Sequence, residues 1–194
     1  MRASGSNRAL MRLPCRELRI GLIARSSAIM LGRPSMLDGA MIRVRPAREA
    51  DLDRLAQFWY ERAALTPLPR GVTLRPDARA HWRVSAEGWL TAPDWCVLVA
   101  EADDALAGFG VGRIVDGPPG FSPDQLGEIA AFALDGHAYH PGAGRAIVDG
   151  LQSWFRGRGV TRVRVTISKH SPVEQAFWRA LYGEEWDETL WWTW

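Results

Sequence analysis

The hydrophobic pattern sharpens abruptly at Met41. Ile42 and Val44 alternate with Arg43 and Arg45, which predicts a short strand, and Pro46 fits its end or an edge. Leu52, Leu55, Ala56, Trp59 and Ala63 then recur at helical spacing, with Asp51 and Asp53 favouring the first turn. Residues 66–71, TPLPRG, break that helix, and Pro76-Asp77 introduces a second over about 78–90. Residues 95–101 read as a strand, 102–104 as a turn and 106–115 as the antiparallel return.

The apolar run 129–134 predicts a further strand. An amphipathic helix pattern follows Gly142-Ala143-Gly144-Arg145-Ala146, and Gly157-Arg158-Gly159 stops it. Val163, Val165 and Ile167 alternate with Arg162, Arg164 and Thr166. Ser171-Pro172 opens a last helix with Val173, Ala176, Phe177, Ala180 and Leu181 on one face, ended by Gly183. Residues 186–194 alternate again. The predicted order is β-α-α-β-β-β-α-β-α-β. Hairpins and crossovers both occur, so the class is α/β (α+β), with a mixed central sheet. Gly108, Gly110 and Gly112 form a GxGxG string, but no helix pattern follows it. They read as a bulged or closely approached strand.

Composition adds a division of the chain. Residues 1–40 hold seven Arg against Glu17 and Asp38, a net +5, whereas residues 41–194 carry −3. The first 40 residues show no sustained period. They are expected to be a disordered or extension tail; an Arg-rich transit peptide and a basic arm are the other readings. A mildly acidic domain over 41–194 does not point to nucleic acid. Cys15 and Cys96 are too few for a metal quartet, and Cys96 reads as a small buried hydrophobe. No apolar run reaches the roughly 18–20 residues of a membrane span, so a cytoplasmic setting is expected.

Candidate chemistry centres on residues 128–158. A strand, a glycine turn and a helix start together can bind a phosphate through backbone N–H groups and the helix dipole. A favourable charge at such an end contributes only ~0.3–1 kcal/mol, so several donors must converge.

The element order and three phrases resemble the GNAT superfamily of acyl-CoA-dependent N-acetyltransferases. Residues 41–55 look like its opening strand and first helix. Tyr139-His140-Pro141-Gly142-Ala143-Gly144 is similar to its Arg/Gln-x-x-Gly-x-Gly/Ala loop, with Tyr139 at the leading position. Residues 171–181 are similar to its Asn-x-x-Ala-x-x-Phe-Tyr helix, with Ser171 for the Asn, Glu174 for the Ala and Trp178 for the Tyr. The resemblance covers residues 41–194 and implies a mostly antiparallel sheet flanked by helices. No metal is expected from the residues themselves; the resemblance implies acetyl-CoA as co-substrate. Leu134, Tyr139, His140, Gly142, Ala143, Gly144, Arg145, Ala146 and Ser171 would contact it, and the Leu134 N–H would face the thioester carbonyl.

The reaction implied is direct attack by a primary amine in a ternary complex, the acceptor being a small molecule or a peptide. Neither nucleic acid nor membrane is an expected partner, and a homodimer is an open expectation. Glu128 is the first candidate base, because apolar surroundings would raise its pKa. Ordered water is the alternative. Indole cannot supply the acid a tyrosine supplies, and Tyr182, four residues after Trp178, is the candidate substitute. His137, His140 and Asp135 form a conceivable but weak metal set. Specificity is expected from the 65–75 loop, the second helix and the Trp-rich end. An acyl-CoA sensor of the same fold is the second reading. A dinucleotide oxidoreductase is disfavoured, since no Asp or Glu ends the next strand.

Overall fold

The computed structural model describes residues 23–24 and 41–190, apart from Tyr139, Tyr182, Trp186 and Glu188. Among the described residues six strands form one sheet in chain order: β1 (Ile23–Ala24), β2 (Ile42–Pro46), β3 (Trp95–Ala102), β4 (Ala105–Asp116), β5 (Gln125–Leu134) and β6 (Val163–Val165). Neighbours pair antiparallel except β5 and β6, which are parallel. Helices α1 (Leu52–Leu65) and α2 (Ala78–Trp89) lie between β2 and β3 in sequence. Helix α3 (Ala143–Gly157) joins β5 to β6, and α4 (Pro172–Ala180) comes after β6. The mixed, mostly antiparallel sheet flanked by helices is the one expected.

Each sheet face has its own core. On one face α3 buries Ile147, Leu151, Trp154 and Phe155 against Val44, Leu98 and Ile129, with Trp178 of α4. On the other, Leu52, Leu55 and Phe58 of α1 and Trp82 and Ala86 of α2 cover Val97, Val99, Phe109, Val111 and Ala133. Asp103 and Asp104, at φ 49° and 63°, make the two-residue turn from β3 to β4, which needs positive φ at both positions.

The glycines of β4 let α3 approach. A Cβ on Gly110 would stand 2.5 Å from Ile147 Cγ2, and one on Gly112 would stand 3.1 Å from Leu151 Cδ2. A register shift between Ala100 and Glu101 places a bulge beside Gly108. The closely approached, bulged strand read from the sequence is therefore present. Between β2 and the turn before α1, Arg45 holds Asp51 at 2.7 and 3.0 Å and Glu101 at 2.7 Å, which fastens the helix start to β2 and β3.

The expectations for the fifth strand and the last helix change, while those for the first 40 residues and the last strand fall largely outside the described residues. A two-residue strand, β1, pairs with β2 inside the segment read as a tail; residues 1–22 and 25–40 lie outside the described residues. Strand β5 begins at Gln125, four residues before its apolar run, because register with β4 and β6 rather than alternation makes it a strand. In α4, Val173 is 80% exposed while Trp178 is buried, so the inward face is Phe177, Trp178 and Leu181. Of the predicted last strand, Trp186, Glu188 and residues 191–194 lie outside the described residues, and Asp187, Thr189 and Leu190 are in no strand.

Candidate active site

The sheet splits along β5. Strand β6 pairs with it only at Gly127, Glu128 and Ile129. The β4 register then jumps from Gly112–Ile129 to Val111–Ala131, which makes Ala130 an extra, bulged residue. A bulge bends a strand and re-aims the residues beyond it. Past Ala130, β5 keeps its β4 partner and has no second neighbour among the described residues.

Backbone directions can be read from two bonds. Gly127 N–H donates to Arg162 O at 2.8 Å, toward β6, and Asp135 N–H donates to Ala107 O at 2.9 Å, toward β4. Successive N–H groups of a strand point to opposite edges. The N–H groups of Phe132 and Leu134 therefore face the unpaired edge.

That edge runs into the start of α3. Gly142 adopts φ 88° and ψ −14°, a left-handed cap, and a Cβ there would have nothing within 4 Å. Only glycine takes this conformation without strain. Ala143 N–H donates to His140 O and Ala146 N–H to Gly142 O, while those of Gly144 and Arg145 have no partner among the described residues. No side chain among the described residues caps the helix, and its first turn carries no acid. Leu134 closes the other side: a Cβ on Gly144 would stand 3.3 Å from Leu134 Cδ1 and 3.0 Å from Phe177. Open strand edge and uncapped helix start thus meet, with donors suited to a long ligand that ends in an anion.

The remaining predicted contacts divide. Arg145 is exposed and pairs with Asp149 at 2.9 Å, one turn along its own helix. The Ser171 hydroxyl accepts from Glu174 N–H at 3.4 Å, so it caps α4. Tyr139 and Tyr182 lie outside the described residues. Trp178, at the position of the family tyrosine, is 8% exposed and sets its ring against Phe132 at 5.3 Å. Trp82 is core as well, while Trp59 and Trp89 border it. Cys96 is fully buried in β3, and the described residues include no free cysteine.

The raised pKa expected of Glu128 is overturned. Burial pushes its carboxyl up, but Arg164 and Arg113 outweigh burial and hold it below the usual carboxylate range. Arg113 donates Nε at 2.9 Å and a terminal nitrogen at 2.5 Å to one oxygen; Arg164 donates at 2.9 and 2.7 Å to the other.

A second polar group escaped the sequence reading. Glu61 of α1 accepts from Gln57 at 2.6 Å and lies 3.5 Å from His137 Nε2. Arg54 approaches Asp135 at 3.6 Å, and Arg62 pairs with Glu174 at 2.8 Å, linking α1 to α4. These pairs join residues far apart in sequence. The one local signal was an acid, Glu174, where the related helix carries alanine.

A split mixed sheet whose open strand leads into an uncapped helix defines the acetyltransferase class of this fold. The chain belongs to the acetyltransferase (GNAT) family, whose model matches residues 56–183. No curated protein matches the chain. Among solved structures, it is similar to a predicted acetyltransferase with acetyl-CoA from Clostridium acetobutylicum, at 15% identity and TM-score 0.64 over 79% of this chain and 96% of that one. It is also similar to the aminoglycoside N-acetyltransferase AAC(6')-Iy in complex with CoA, at 16% identity and TM-score 0.65 over 82% and 98%. A third is an aminoglycoside acetyltransferase from an uncultured soil sample in complex with sisomicin, at 16% and TM-score 0.58 over 78% and 95%. At these identities the likeness is one of fold. Among the described residues no helix is long and apolar enough to cross a membrane.

Proposed function

We propose that this protein is an N-acetyltransferase that moves the acetyl group of acetyl-CoA to a primary amine by direct attack in a ternary complex. The observation that carries this reading is the β5 edge, which beyond Ile129 has no second neighbour among the described residues and leads to N–H groups at Gly144 and Arg145 that have no partner among them. Those N–H groups, with the helix dipole and the bare face at Gly142, suit the pyrophosphate. Bound there, acetyl-CoA supplies an activated acyl carbon.

The position of Leu134 supports a different assignment from the one the resemblance implies. Its side chain lies against Gly144, at the pyrophosphate end. The pantetheine arm separates pyrophosphate from sulfur by a long chain, so the thioester belongs further along β5. Leu134 N–H would then hold the arm. Phe132 N–H, one pleat deeper on the same edge, would stabilise the charge that develops on the thioester oxygen. A donor of that kind lowers the barrier by about 3 kcal/mol.

The neutral amine nitrogen bonds to the carbonyl carbon, the carbon–sulfur bond breaks, the sulfur leaves as thiolate, and the proton that nitrogen then sheds passes through water to that thiolate, leaving the amide and CoA. We assign the ammonium proton to water rather than to Glu128, whose two oxygens are occupied by guanidiniums. Trp178 is packed in the core and cannot protonate the thiolate. Tyr182 keeps its candidacy from the sequence.

The test is release of free thiol from acetyl-CoA in the presence of a broad panel of primary amines. Amine-dependent release is expected. Saturable acetyl-CoA binding with no release on any amine would instead favour a non-catalytic acyl-CoA sensor, the reading that the buried Trp178 supports.

A further inference from the structure

Four side chains stand in one row across the sheet. Trp95 of β3 is in register with Arg113 of β4, Arg113 with Glu128 of β5, and Glu128 with Arg164 of β6. Directly opposed residues point to the same face. Gly127 and Ile129 face α3, so Glu128 between them faces the α1 and α2 side, where Trp95 borders the core.

The row is positive and partly open. Two guanidiniums share one carboxylate, and the side chains of Arg113 and Arg164 are 37% and 57% exposed against 16% for Glu128. Each arginine spends Nε and one terminal nitrogen on Glu128, which leaves its other terminal nitrogen without a partner among the described residues. Glu128 holds both forks in place. Arg113 also lies over Trp95 at 5.4 Å, and Trp95 stacks on Trp89 at 4.9 Å, which provides an apolar floor beside the charges. The row sits two residues, about 7 Å, before the bulge where the sheet opens.

We propose that Arg113 and Arg164 recognise a carboxylate on the acceptor, so that the substrate is an amine carrying a carboxylate some bonds away from its nitrogen. This rests on the acetyl-transfer reading only for where the amine goes. The spacing disfavours a free α-amino group, whose nitrogen is one carbon from its carboxylate. It suits a side-chain amine, as in a lysine derivative. A polycation such as an aminoglycoside meets the wrong charge here. The acids near the open edge, Glu61, Asp135 and Glu174, already face His137, Arg54 and Arg62.

The experiment is calorimetric titration of the full chain, with and without CoA, using Nα-acetyl-lysine and its primary amide. The pair differs only in the carboxylate. The acid should bind roughly tenfold or more tighter than the amide, the discrimination of a charge-assisted hydrogen bond. Arg164→Gln should bring the two affinities together without changing acetyl-CoA affinity. Arg113→Gln repeats the test from the other side of Glu128, should one variant fold poorly. Equal affinities in the unmutated protein, no binding of either probe, or tighter binding of an aminoglycoside would overturn the proposal. Failure of thiol release on every amine would sink the transfer reading and leave this binding comparison to stand or fall alone.

Discussion

Replacing Glu128 by Gln should leave the acetyl-transfer step close to its unmutated rate. The reason is the energy of the proton. A lysine-like ammonium titrates near 10.4 and an ordinary glutamate near 4.3, so complete transfer between them is uphill by about 8 kcal/mol at 1.36 kcal/mol per unit. Arg164 and Arg113 hold Glu128 lower still, which makes the transfer worse. Releasing the same proton to solvent at pH 7 costs about 5 kcal/mol. The solvent route wins by several kcal/mol, and a carboxylate so engaged adds nothing to it. The assay is steady-state transfer at saturating acetyl-CoA between pH 6 and 9. For Glu128→Gln, kcat should stay within about threefold of the unmutated enzyme, since the functional gain typical of a working base, about 10²–10⁴-fold, is absent. For both proteins kcat/KM should rise with unit slope toward the pKa of the amine. A fall in kcat of about 10² or more with acceptor KM unchanged would refute the reasoning and restore Glu128 as the base.

The fold sets three further outcomes. Gly142→Ala places a side chain at φ 88° in open space, so its cost is conformational alone. It should destabilise by roughly 1–2 kcal/mol and weaken acetyl-CoA binding, measured by melting and by titration. Gly110→Ala drives a Cβ toward Ile147 and Leu151 of α3 and should cost about 1–3 kcal/mol by denaturant unfolding, with β4 forced away from the helix. Acid should weaken the protein through Asp51, which burial pushes up but Arg45 and the Arg48 N–H hold below its ordinary value. A depressed carboxyl stabilises above its unfolded pKa, near 3.9, and that contribution disappears as pH falls below it. Melting temperature should therefore drop steeply below about pH 4, and less steeply in Asp51→Asn. A flat profile in the unmutated protein would exclude this ion pair as a contributor.

Much of the architecture was legible because it rests on local chemistry. Pro76-Asp77 and Ser171-Pro172 announce helices, Asp103-Asp104 a tight turn, and Gly142 a left-handed cap. The glycine string of β4 was readable as a close approach because no helix comes after it. What failed depends on register. Gln125 to Glu128 carry no alternation, and they become strand only by pairing with β4 and β6. Trp178 turns inward and Val173 outward because α4 meets the core at Phe132, which spacing alone does not reveal. The site divides in the same way. The glycine loop was visible as sequence, whereas the Trp95–Arg113–Glu128–Arg164 row and the Glu61–His137 pair exist only once four strands and a helix are assembled. Glu128 was found as a residue and misjudged as an environment, since nothing local announces two arginines from neighbouring strands.

The open edge of β5 is the feature on which the functional reading depends, and amide hydrogen exchange addresses it residue by residue. On addition of acetyl-CoA, the N–H groups of Phe132, Leu134, Gly144 and Arg145 should become protected. Those of Ala131 and Ala133, which face β4, should change little. Tight acetyl-CoA binding that leaves Phe132, Leu134, Gly144 and Arg145 exchanging at their original rates would contradict the assignment of this edge and helix start as the acetyl-CoA site.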